Sequence, residues 1–177
     1  PEYAKFCDVD KKVKMYFVAK FCKQPNGTGA FVDSVQTSNV SETKGTANGL
    51  YLNFEMKKDE LLEITTGLSY TSIENARLNL KTEASGKTFE SVRQLAKEAW
   101  NEKLGRIKVE GSDSLNRVKF YTGLYHALLG RGISSDVNGQ YPLVDGVGQI
   151  PLDKKGNPLY RHFNTDGIWG GFWNLSQ

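Results

Sequence analysis

The sequence is poor in the residues that usually announce a site. Its 177 positions include two cysteines, two histidines, two methionines and five prolines. No Cys-x-x-Cys pair and no Cys/His ligand spacing occurs, which excludes the common zinc modules. Cys7 and Cys22 lie in strand contexts and read as small buried thiols, with a single disulfide as the alternative. His126 and His162 offer little material for a Ser–His–Asp or Cys–His arrangement. There is no Gly-x-Ser-x-Gly elbow, no Walker loop, and no Gly-x-Gly-x-x-Gly following a strand. Single-sign charge is missing too. With 23 basic against 20 acidic residues the net charge is +3, and no basic block marks a nucleic-acid partner. No apolar run approaches the ~20 residues of a membrane span. The opening "PEYAKFCDVDKKVK" lacks the apolar stretch of a signal peptide, although a processed or truncated product would have lost one.

What is present is ordinary folded protein: 38% hydrophobic and 24% charged residues. A globule of this length buries roughly 70% of its extended surface, so a true core is expected. The first seventy residues read as strands. "VKMYFVAKF" alternates with period two, setting Val13, Met15, Phe17, Ala19 and Phe21 inward against Lys14, Tyr16, Val18 and Lys20. "GAFVDSVQT" reads as a second, weaker strand. Asn48-Gly49 reads as a tight-turn pair. "LYLNFEM" and "LLEITTGLSY" follow as strands, with Gly67 a candidate bulge. Short strands with turns about every ten residues suggest an antiparallel sandwich.

At Thr71 the period changes. "TSIE" resembles a capping box, with Thr71 as cap and Glu74 reaching back. A short helix follows, carrying Ile73, Ala76 and Leu80 on one face. A longer one runs from about Thr88 to Leu104, its stripe including Phe89, Val92, Leu95 and Trp100, the last read as core. "GRIKVEG" reads as a brief strand with Ile107 and Val109 inward. A third helix covers about Asn116 to Leu129, capped by Gly130, with His126 read as a hydrogen-bonded structural histidine. Residues 131–161 are turn-rich, with a hairpin expected around Lys155-Gly156-Asn157. Loops this long are usually functional or disordered. "DVNGQY" shares something with a calcium loop, but it lacks the third acidic position and the distal glutamate, so a turn is the better reading. The layout is α+β, sheet first and helices after.

The last stretch, "HFNTDGIWGGFWNLSQ", differs from everything before it. If Asp166 or Thr165 opens a helix, Trp169 and Trp173 lie four apart on one face. Gly170 and Gly171 each cost about 1 kcal/mol there relative to alanine, which a close-packed backbone or a ligand must offset. Indole faces beside a carboxylate suit a sugar. A tight helix–helix contact suits the same residues equally well.

From about Val13 to the end the chain resembles glycoside hydrolase family 92, the calcium-dependent exo-acting α-mannosidases. The stretches that carry the resemblance are "VKMYFVAKFCKQP", "LLEITTGLSYTSIENARLNLKTE", "FESVRQLAKEAWNEKLGRIKVEG", "KFYTGLYHALL" and "SDVNGQY", in that order. "KFYTGLYHALL", similar to the family's "FYTALYH-x-x-L", is the most specific. The resemblance implies an N-terminal β-sandwich, a helical linker and an (α/α)6 barrel, with the active site between sandwich and barrel. Residues 1–70 would then be the later part of the sandwich, 71–111 the helical linker and return strand, and 112–177 the start of a truncated catalytic barrel.

The resemblance also implies inverting hydrolysis of terminal α-mannose, by an acid and a base standing roughly 6.5–9.5 Å apart. Calcium would assist by gripping sugar hydroxyls. No stretch of the chain matches the family's acid, base or calcium ligands, so no catalytic residue is nominated and the chain alone is expected to be inactive. One sugar-contacting element does map onto it. Where the family has "S-x-WD-T-Y/F-R", this chain keeps Trp169, with Gly170 at the aspartate position and Trp173 at the arginine position. Asp166 stands just upstream. These four are the candidate substrate-binding residues, facing a mannose-containing glycan. The source protein is expected to be secreted, periplasmic or on the bacterial outer surface. A truncated barrel would expose apolar faces and self-associate. The alternative is a non-catalytic carbohydrate-binding or scaffold module.

Overall fold

The structure, a computed structural model, describes residues 2–5, 8–111, 113–129 and 132–163. In chain order it contains β1 (Glu2–Lys5), β2 (Asp8–Lys14), β3 (Tyr16–Phe21), β4 (Gly27–Val32), β5 (Val35–Ser38), β6 (Asn48–Asn53) and β7 (Ile64–Ser69). Then come α1 (Ile73–Ala84), α2 (Phe89–Leu104), α3 (Ser114–Leu129), β8 (Gln140–Leu143) and β9 (Gly146–Gln149). The class is α+β, built from small antiparallel sheets and three helices among the described residues. The sheets are β1-β2, β3-β7, β5-β4-β6 and β8-β9. The chain divides into two compact units, one of residues 19–65 and one of residues 1–18 with 66–177.

In the unit of residues 19–65, β4 is the central strand of three. "GAFVDSVQT" is not one strand. It folds back at Asp33, whose φ is +51°, and pairs Val32 with Val35. Asn48-Gly49 is not a turn either: both residues pair with β4, and the bend falls earlier, where Ala47 has a φ of +53°. The turn-forming residues were present, but position within the ladder decided which of them bent. The register gives the sheet two unlike faces. One carries Ala30, Val32, Leu50, Leu52 and Val35. The other carries Gly29 and Phe31 of β4, Ser38 and Gln36 of β5, and Gly49 and Tyr51 of β6. On that second face the Tyr51 ring lies over Gly29 and the Phe31 ring lies over Gly49, each in the space a Cβ would need. Phe21 and Phe54 meet at 5.3 Å. Cys22 is a free, exposed thiol rather than a buried one, and its Sγ accepts the Glu63 N–H at 3.1 Å.

The period-two reading of β3 holds, but its faces are reversed: Tyr16 and Val18 are the covered side chains and Phe17 is 55% exposed. Large apolar residues stand on both sides of this strand, so hydropathy alone does not choose between them.

In the other unit, Thr88 caps α2 by accepting the Ser91 N–H at 3.3 Å. Helices α2 and α3 pack together, and Trp100 meets Tyr125 at 4.6 Å with a 58° tilt. The expected strand at "GRIKVEG" does not form. Arg106 closes the turn after α2, and Val109 N and Ile107 O instead bond the Tyr121 hydroxyl at 3.3 and 3.0 Å. A side chain thus takes the hydrogen bonds a neighbouring strand would have supplied. His126 lies exposed on α3 beside Tyr125, with no hydrogen bond among the described residues. The turn-rich segment contains a regular hairpin, β8-β9, upstream of the expected one. Around Gly156 only a single bridge forms, Leu152 to Pro158.

The expected core is thin. The chain exposes 14429 Å², against roughly 8,600 Å² for a compact monomer of this mass and about 28,700 Å² when extended. About half of the surface is buried rather than 70%. Among the described apolar residues only Ala30, Ala76 and Ile150 are fully covered. The stripes of α2 and α3 are real helical faces, but Phe89 and Val118 on them stay 64% and 61% exposed.

Candidate functional site

The best-formed polar site lies where α1 meets the turn at residues 136–140. Its construction begins with the helix cap. Ser72, not Thr71, is the N-cap of α1, accepting the Asn75 N–H at 3.0 Å. That frees the Thr71 hydroxyl for a longer-range partner. The buried face of α1 is Asn75, Ala76 and Asn79, while Ile73 points outward. Asn75 and Asn79 are four residues apart and so share one face. Gly67 of β7 lets that face come close: a Cβ there would stand 2.6 Å from Leu80 Cβ and meet the Ala76 carbonyl. Gly67 is therefore a contact point rather than a bulge.

Asp136 is the hub. It is 5% exposed, and its carboxylate accepts from the Ser69 hydroxyl at 2.9 Å, the Asn75 amide at 3.1 Å, the Asn79 amide at 2.7 Å and the Thr71 hydroxyl. No basic side chain among the described residues forms an ion pair with it. The negative charge is held by neutral donors alone, each donating a hydrogen bond stronger than one between neutral groups. The network closes on itself. Asn79 also donates to Leu68 O at 2.7 Å and accepts the Val137 N–H at 3.0 Å. Asn138 donates to Asn75 Oδ1 at 2.9 Å, and Asn75 donates to Gln140 Oε1. Beneath the carboxylate the backbone turns at Gly139, whose N–H reaches Asp136 O at 2.9 Å and whose φ is +84°. A Cβ there would also crowd Gln149 and Pro158. No buried side-chain polar atom among the described residues lacks a partner.

This geometry decides the reading of "DVNGQY". The segment is a turn, and the oxygens a cation would need are already occupied by O–H and N–H donors. Among the described residues no group of three His, Cys, Asp or Glu could hold a metal ion. The described residues therefore do not fit calcium.

A second cluster adjoins this turn in sequence. Ser134 Oγ and His162 Nδ1 are 2.8 Å apart, and the Tyr141 ring stacks on the imidazole at 4.5 Å and 13°. Ser134 Oγ also lies 3.3 Å from the His162 carbonyl, and Ser134 N donates to that carbonyl at 2.9 Å. No described carboxylate bonds the imidazole, so the pair is not an assembled nucleophile. It fastens the bridge from Ile133 to Phe163. The four nominated sugar-contacting residues, Asp166, Trp169, Gly170 and Trp173, lie outside the described residues.

The stretches that meet at Asp136 are two of those that carry the family resemblance, "TSIENARLNL" and "SDVNGQY". A comparison with family models matches the glycosyl hydrolase family 92 catalytic domain over residues 75–177, more than half of the chain.

The chain belongs to glycosyl hydrolase family 92.

Solved structures of this family share the fold. An inverting mannosidase from Bacteroides thetaiotaomicron is matched with a TM-score of 0.77 at 23% identity, over 92% of this chain and 21% of that one. A second family 92 α-mannosidase from the same organism, in complex with mannoimidazole, gives 0.74 at 24% identity, over 91% of this chain and 21% of that one. The family 92 glycosyl hydrolase ccman5 gives 0.78 at 21% identity, over 90% and 21%. The chain thus spans about a fifth of the length of the family 92 structures it matches. No curated protein matches the chain.

The Asp136 hub was missed at the level of sequence. Its one signal was the Asn75/Asn79 pair, polar residues at helical spacing beside an alanine. The partner carboxylate stands 57 residues beyond Asn79.

Proposed function

We propose that this chain is one part of an inverting α-mannosidase that removes terminal α-mannose from glycans. The observation that carries the reading is the family 92 match over residues 75–177. On this reading residues 1–70 are the later part of a β-sandwich, 71–111 a linker, and 112–177 the first elements of an (α/α)6 barrel. The acid, the base and any calcium ligands are supplied from outside these 177 residues, since none within them matches those roles. The Asp136 hub serves as the joint between linker helix and barrel. It sets where the chain goes after Phe163, toward the segment with Asp166, Trp169, Gly170 and Trp173. Trp169 stacks on the terminal sugar, and Gly170 and Trp173 replace groups that would otherwise bond its hydroxyls. A secreted, periplasmic or outer-surface location suits an enzyme acting on glycans.

The test has two arms. The purified 177-residue chain should not hydrolyse an aryl α-mannoside, and measurable turnover by it would overturn this division of labour. In a longer protein containing this chain, Trp169→Ala should lower kcat/KM by about tenfold or more, the usual size for loss of a sugar-positioning contact.

A further inference from the structure

We propose that the neutral face of the β5-β4-β6 sheet is a platform for an uncharged glycan, distinct from the terminal-sugar segment. Four observations lead there. First, the Tyr51 and Phe31 rings lie across the sheet on Gly29 and Gly49, where each glycine leaves the room a ring needs. A ring laid on backbone presents its other face outward. Second, the rings are fixed before any ligand arrives: the Tyr51 hydroxyl bonds Ser38 Oγ at 3.2 Å, so little side-chain freedom is left to lose. Third, the register sets Tyr51 opposite Gly29 and Phe31 opposite Gly49, two residues along β4. The rings therefore occupy successive rows on the order of 7 Å apart along the strand, and neighbouring sugar units can each meet one. Fourth, the polar groups beside the rings, Ser38, Gln36 and Asn53, are all uncharged.

Chemistry then selects the ligand. An electron-rich ring face attracts the C–H face of a pyranose, and neutral amides and hydroxyls serve sugar hydroxyls as both donor and acceptor. A phosphate or uronate polymer would find no cation on this face. The opposite face, with Ala30, Val32, Leu50 and Leu52, has the aliphatic character that another protein layer covers, which leaves the aromatic face to solvent.

The proposal rests on the mannosidase reading only for its first probe. The 177-residue chain is run through native gels with and without yeast mannan. Retardation by mannan is expected. Y51L together with F31L should weaken it at least tenfold, whereas Y51F with F31Y, and W169A with W173A, should retain it. Retardation that survives Y51L/F31L but is lost in W169A/W173A would overturn the platform while supporting the terminal-sugar site. Absence of retardation in gels of mannan and of a neutral β-glucan would overturn it as well. A titration of the unmodified chain with mannan oligosaccharides needs no variant: the ring resonances of Tyr51 and Phe31 should shift, and unmoved rings refute the proposal.

Discussion

Asp136 concentrates four hydrogen bonds on one carboxylate with no cation near it. Truncation to alanine would strand two hydroxyls and two amides at once, in a place water does not easily reach. Each stranded donor costs about 1–3 kcal/mol, so Asp136→Ala should lower stability by at least 3 kcal/mol in urea unfolding. Asp136→Asn is the more telling variant, because its amide offers one acceptor oxygen and turns a donor against the Asn75 and Asn79 amides. It should recover little of that loss, and a near-neutral effect would mean the charge is irrelevant to the joint. Gly67→Ala should cost about 1–3 kcal/mol, since its methyl meets Leu80 and the Ala76 carbonyl. Asp153 behaves differently because it is exposed. The backbone N–H of Asn157, at 2.8 Å, holds its carboxyl below the ordinary value of 3.8, helped by the Asn157 side-chain amide and by the Lys155 and Gly156 N–H groups. The turn it closes is therefore fully supported above the ordinary aspartate range and loosens as pH falls through the lowered value. Acid titration of the Gly156 and Asn157 amide resonances should show a midpoint below 3.8.

At the scale of elements, α1 separates two roles that look interchangeable in the sequence. Ser72→Ala removes the cap and should cost about 1 kcal/mol, while Thr71→Val removes a donor to Asp136 and leaves the cap intact. In a double-mutant cycle with Asp136→Ala, Thr71 should couple and Ser72 should not. The reverse result would restore Thr71 as the cap. The three helices were legible from apolar spacing, because a stripe is a local property. Thr88 was legible as a cap for the same reason. The buried face of α1 was not, since its covering partner is a polar turn far along the chain, and an apolar search turns the helix the wrong way. The hairpin at β4-β5 was hidden because Asp33 is an ordinary strand-interrupting residue until its φ is known. The choice of faces on β3 depended on what covers it. Of the candidate site, the sequence pointed to Trp169 and its neighbours through resemblance, while the carboxylate hub escaped because hydrogen-bond partners leave no period.

At the scale of the whole molecule, a surface of 14429 Å² with Phe89 and Val118 more than half exposed favours association. Light scattering of the isolated chain should give a mass that rises with concentration, and a monomer at every concentration would contradict this. Removing divalent ions with a chelator should leave its melting temperature unchanged, because the carboxylate oxygens at the hub already have their partners. The hub also imposes an order of events on synthesis. Asn79 leaves the ribosome 57 residues ahead of the carboxylate that anchors it. At about 5–20 residues per second, that interval is roughly 3–11 s, during which α1 has a cap but no clasp. Closing so long a loop is an entropic cost met only once the turn at Gly139 has formed. A nascent chain stalled before Asp136 should therefore be cut within α1 by proteases that spare the same helix once the turn has emerged.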